Sequence, residues 1–88
     1  MHVRREGVTT SRVGDDVMLL DLESSTYYAI GGSGVLVLEA LRAPDGVASV
    51  DELVDGVLAE HPDAARDTVQ QGVQRFLEQL RQVGLLQG

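Results

Sequence analysis

The hydrophobic pattern of this chain changes period once. From Val8 to Ile30 apolar residues come in short β-branched or aromatic runs divided by turn residues, and after Ile30 they recur every three or four positions. Val8 to Val13 (VTTSRV) is β-branched and polar, Gly14-Asp15-Asp16 is turn chemistry, and Val17 to Leu22 (VMLLDL) is apolar on both faces, as a central strand should be. Glu23-Ser24-Ser25 supplies a second tight turn before Thr26 to Ile30 (TYYAI). The segment therefore predicts a three-stranded antiparallel meander.

Beyond it, Val35, Leu38 and Leu41 share one helical face that Leu36 and Val37 broaden, and Ala43-Pro44-Asp45-Gly46 ends that helix. Ser49 and Glu52, three apart, form a capping-box signature, and Leu53, Val54, Val57 and Leu58 give the buried face of a second helix. His61-Pro62-Asp63 breaks it. A third helix is expected from about Ala64 to Val83, with Val69, Val73, Phe76, Leu77, Leu80 and Val83 at helical spacing. Gly84-Leu85-Leu86 ends it and tucks back into the core. The order is βββααα, an α+β fold, and with no repeat or linker it makes a single domain, 1–88.

Eighty-eight residues suffice for one modest core, so a deep-clefted enzyme with a separate cofactor domain is disfavoured. Fourteen acids against seven bases, a formal charge of −7, repel phosphate backbones and attract cationic partners. A basic peptide is a better match than DNA. All seven bases are arginine, so neither a Schiff-base lysine nor the lysine of a Walker-type loop is present. Without cysteine there is no disulfide, thiolate or zinc ribbon, and the cytoplasm is the expected compartment. No apolar run approaches the roughly 18–20 residues that span a membrane, and MHVRREGVTT lacks the apolar stretch of a signal peptide.

Gly31-Gly32-Ser33-Gly34 follows a strand and opens a helix, where free amides and the positive dipole end bind phosphate elsewhere. It matches neither G-x-G-x-x-G nor G-x-x-x-x-G-K-[ST], and all strands precede all helices, so no parallel crossover exists. A capping and close-packing role is the expectation. His2 and His61 are far apart, with no cysteine or ordered acidic cluster for a metal. No serine sits in a G-x-S-x-G elbow. Asp15-Asp16 and Asp51-Glu52 have ordinary reasons to occupy a turn and a helix start. Catalytic residues: none; metal: none; cofactors: none; the chain reads as a non-enzyme.

What remains is a surface. In a meander the third strand, Thr26 to Ile30, has a neighbour on one side only, so a peptide could add a strand there. Alternatively, the third helix covers that edge.

These residues also carry a resemblance. LLDLESSTYYAIGGSGVLVLEAL, then Gly46, SVDELVDGVLAEHP and VQRFLEQLRQVGLL, together resemble the PqqD family of small peptide-binding proteins, across about residues 8–87. Its best-known member serves pyrroloquinoline quinone biosynthesis. Members act as RiPP recognition elements, binding the leader of a ribosomally made precursor peptide and presenting it to modifying enzymes. Gly31 departs from the family, which commonly has asparagine or a similar cap there; the first helix could then start nearer Ser33.

The resemblance implies a winged helix-turn-helix-like fold in which the leader pairs antiparallel with the third strand, in a groove whose other wall is the third helix. Carried over, the strand wall is Tyr27, Tyr28, Ala29 and Ile30. The helix wall comes from Val69, Val73, Phe76, Leu77 and Leu80, with Asp67, Gln70 and Arg75 available at the rim. Val69, Val73 and Phe76 are favoured for the groove and Leu80 and Val83 for the core. A discrete chain of this length is similar to the stand-alone recognition protein of lasso-peptide biosynthesis. Its implied partners are a leader peptide of basic character and a leader peptidase of transglutaminase-like cysteine-protease type, with no nucleic acid and no membrane. The alternatives are a peptide chaperone of quinone-cofactor biosynthesis, a winged-helix DNA-binding protein, and an assembly subunit that uses the open edge for itself.

Overall fold

Two turns fold residues 8–30 back on themselves. In the first, Gly14 adopts φ 62° while Asp15 stays at negative φ, the II′ pattern that matches the twist of a two-residue hairpin. In the second, Leu22 to Ser25, Ser25 closes the loop in the left-handed region at φ 55°. The computed structural model describes residues 1–88, ordered β1 (His2–Val3), β2 (Val8–Val13), β3 (Asp16–Asp21), β4 (Thr26–Ile30), α1 (Ser33–Arg42), α2 (Val50–Glu60), α3 (Arg66–Gln82) and β5 (Leu86–Gln87). The meander and the three helices stand as the hydrophobic periods predict, an α+β fold with an antiparallel sheet β2-β3-β4.

Register sorts the side chains. Val17, Leu19 and Asp21 of β3 stand opposite Ile30, Tyr28 and Thr26 of β4, and this face packs on the helices. Met18, Leu20, Tyr27 and Ala29 occupy the other face. Strand β3 is one residue earlier than its apolar run, which leaves Leu22 exposed in the turn.

The glycine loop is a helix start. Gly34 N–H bonds Gly31 C=O and Val35 N–H bonds Gly32 C=O, both at 3.2 Å, so two of the first amides of α1 already have acceptors. Gly32 precedes Ser33 with φ 58°, ψ −140°, a conformation essentially confined to glycine. A Cβ on Gly34 would lie 3.1 Å from the Ile30 side chain, so its absence lets α1 approach β4.

Ser49 caps α2: its Oγ accepts from Glu52 N–H at 3.4 Å, and Glu52 accepts in return from Ala48 N–H at 3.2 Å. Helix α3 ends in a Schellman turn, with Gly84 at φ 78°, Leu85 N–H on Leu80 C=O (2.8 Å) and Gly84 N–H on Arg81 C=O (3.1 Å). Leu85 is thereby folded under the helix and fully buried.

The termini hold one feature without a periodic signal. β1 and β5 pair antiparallel, His2 with Gln87 and Val3 with Leu86, and Val3 joins Leu19, Leu38, Leu41, Val54 and Leu85 at the centre of the core. Strands of two residues are too short for alternation to announce them.

Candidate functional site

The free edge of β4 can be read group by group. Leu22 N–H donates to Gly7 C=O at 2.7 Å, so the residue beside Asp21 faces β2, and antiparallel alternation turns Asp21, Leu19 and Val17 toward β4. Their partners Thr26, Tyr28 and Ile30 spend their main-chain groups on β3. Tyr27 and Ala29 consequently point N–H and C=O outward. The sheet order gives β4 no neighbour there.

Beside that edge lies a groove of about 310 Å³. Tyr28, Ala29 and Ile30 form one wall, and Phe76, Gln79, Leu80, Gln82 and Val83 of α3 form the other. Six of the eight are apolar and none is charged. The edge and the cavity are thus adjacent: two outward-facing peptide units offer hydrogen bonds, and an apolar slot takes side chains projecting from the same face.

The residues expected at the site fall in different places. Tyr28, Ala29, Ile30 and Phe76 come together. Tyr27 is 66% exposed, and its side chain projects from the sheet face opposite the helices, so only its backbone addresses the open edge. Val73 and Leu77, 4% and 3% exposed, belong to the core, although Val73 also borders a second hollow of about 220 Å³ with Gly34, Val37 and Phe76. Val69 and Gln70 are half-buried, Asp67 and Arg75 are exposed, and none of the four lines the groove.

Helix α3 meets the groove by its C-terminal half. Val83, expected in the core, is 40% exposed and lines the slot, and Leu80 is buried yet reaches it. Gln79 and Gln82 had no place in the expectation. A signal was present: Phe76, Gln79, Leu80 and Val83 follow i, i+3, i+4, i+7, a stripe rotated from the core stripe Val73, Leu77, Leu80.

The face on which a winged helix would read DNA is acidic. Asp51, Glu52, Asp55 and Glu60 of α2 are exposed, and Arg66, at the start of α3, is bonded to Asp55 at 2.9 Å. No group of three or more His, Cys, Asp or Glu side chains could hold a metal ion, and no helix is long and apolar enough to cross a membrane.

Comparison with known proteins gives two matches. The family model "Coenzyme PQQ synthesis protein D (PqqD)" matches residues 16–86. Among solved structures, TbiB1 in complex with the TbiA(beta) leader peptide matches with a TM-score of 0.82 at 30% identity, over 100% of this chain and 96% of that one. No curated protein matches.

Proposed function

This chain belongs to the PqqD family, and we propose from that premise that it binds the leader segment of a ribosomally synthesised precursor peptide. The leader adds as a strand to β4, bonding the main chain of Tyr27 and Ala29 and placing alternate side chains in the slot between Tyr28, Ile30, Phe76, Leu80 and Val83. The observation that carries this reading is the unpaired edge of β4 lying directly against an uncharged apolar groove. The likeness to TbiB1, solved with a leader peptide, supports it.

The role is non-catalytic: the protein supplies an address and an enzyme supplies the chemistry. About four strand hydrogen bonds at a net ~0.5–1.5 kcal/mol each, with two apolar anchors at ~1.5–3, exceed the ~2–5 kcal/mol cost of ordering the peptide. The surplus of seven negative charges favours a basic leader. We assign the chain to a lasso-peptide type of pathway in the cytoplasm, delivering its leader to a peptidase of transglutaminase-like fold; its likeness to TbiB1 supports this.

The test is anisotropy with a fluorescein-labelled synthetic leader of the precursor encoded beside its gene. Saturable binding is expected, weakened at least tenfold by Val83→Asp, an exposed position where the charge disturbs the slot and not the core. Parent-like binding by that variant, with its fold intact, would remove the groove from the reading.

A further inference from the structure

At the opposite edge of the sheet three arginines share one hollow. Arg4 and Arg5, which follow β1, and Arg42, the last residue of α1, line a cavity of about 270 Å³ with Val3, Val8 and Thr10, and no carboxylate lines it. This is unexpected in a chain with twice as many acids as bases. Four of the seven arginines are ion-paired: Arg4, Arg12, Arg66 and Arg81. Of the other three, two are in this hollow.

The donors there are not used up. Arg4 gives Nη2 to Asp21 (2.7 Å) and Nη1 to Glu23 (3.2 Å) and the Gly84 carbonyl (3.3 Å), and its unpaired Nε is buried out of a docked chain's reach, so the free donors are those of Arg5 and Arg42. Arg5 spends Nη2 on the carbonyls of Ala43 and Pro44, at 2.9 and 3.0 Å, leaving the rest of a five-donor fork. Arg42 has no hydrogen bond or ion pair to another side chain and is exposed. Arginine forks bind carboxylates in pairs of parallel bonds, and the apolar floor from Val3 and Val8 raises the strength of each.

The backbone beside the hollow is also open. Because Gly7 pairs with Leu22, alternation along β2 turns the main-chain groups of Val8 and Thr10 away from β3, and β2 has no neighbour on that side. The two residues whose side chains line the hollow therefore also present unpaired peptide groups.

We propose that the β2 edge and the Arg4/Arg5/Arg42 hollow dock an extended acidic peptide segment of a second protein, with carboxylates on Arg5 and Arg42 and main-chain bonds to Val8 and Thr10. Free edge amides favour a peptide over a small anion or a nucleic-acid backbone, since only a peptide main chain can pair with a strand edge, and the local arginines must outweigh the overall charge of −7. Strands added to β2 and β4 would lie four strand spacings apart, about 19 Å, so both could be held at once. If β4 holds a leader, this is where an enzyme could join without displacing it; that corollary rests on the leader reading, and the acidic-segment site does not.

A fluorescein-labelled decapeptide alternating glutamate and threonine is the probe. Wild-type protein should bind it saturably, with ¹⁵N–¹H shift changes at Val8 and Thr10, and Arg42→Glu should weaken it at least tenfold while the β4-edge variant Ala29→Pro binds it normally. The same peptide with glutamine for glutamate needs no variant and should bind at least tenfold more weakly. Equal affinity for the glutamine peptide, shifts confined to Tyr27 and Ala29, or tighter binding of a labelled single-stranded DNA would overturn the proposal. So would full displacement by about 10 mM inorganic phosphate at fixed ionic strength, the mark of a small-anion site.

Discussion

In the proposed complex Ala29 would meet an added strand with its backbone, which would separate binding from folding at a single residue. Its N–H points away from β3, whereas that of Tyr28 points toward Leu19. Ala29→Pro should keep a urea midpoint close to the parent's and raise the leader Kd at least tenfold; Tyr28→Pro should lose about 3 kcal/mol or more, since it removes a ladder bond. Parent-like leader binding by folded Ala29→Pro would exclude strand addition. Asp21 gives a different residue-scale test. Its carboxylate, 3% exposed, accepts from Arg4 at 2.7 Å and from Glu23 N–H at 3.1 Å, tying the N-terminal segment to the meander. Asp21→Ala should cost about 1–3 kcal/mol by urea denaturation, below the full value for a buried pair because Arg4 keeps Glu23 and partial access to water. Asp21 was readable as part of an apolar strand, VMLLDL. Its partner, seventeen positions earlier, was not, because an ion pair between distant segments leaves no period in the sequence.

Among the elements, α3 shows how much a pattern tells and where it stops. The existence of the helix follows from its spacing, and its observed bounds, Arg66–Gln82, lie within the expected span. Which part faces the groove depends on how α3 crosses the sheet, which is set by its packing on α2 and by the β5 tail, not by residues within the helix. Val73 and Leu77 therefore seal the core while Phe76 and Val83 line the slot. Leu77→Ala should destabilise by about 2–5 kcal/mol, and Val73→Asp should unfold the chain by burying an unpaired carboxylate. Urea melts distinguish these from Val83→Asp, which should leave the midpoint nearly unchanged. The C-terminal turn was more legible: Gly84 followed by two leucines marks an end and a return, and Gly84 sits at φ 78°. Gly84→Ala should cost about 1 kcal/mol and loosen Leu85, seen as earlier loss of its amide protection in hydrogen exchange.

For the whole molecule, the charge was countable from sequence but its distribution was not. The surplus acids gather on α2 and the turns, the groove lining carries no charge, and unspent arginines collect at the far edge. Charge and contact are therefore separated in space, and they should separate in kinetics. A basic leader approaching a protein of −7 is drawn in by the whole field, which added salt screens beyond about 8–10 Å. In the proposed seat it would be held by main-chain bonds and apolar side chains that salt hardly affects. Raising sodium chloride from about 50 to 500 mM should therefore slow association about tenfold and change dissociation less than twofold, measured by stopped-flow anisotropy. A dissociation rate that rose with salt as steeply as association fell would mean that carboxylates touch the bound leader, and the uncharged slot between β4 and α3 would not be its seat.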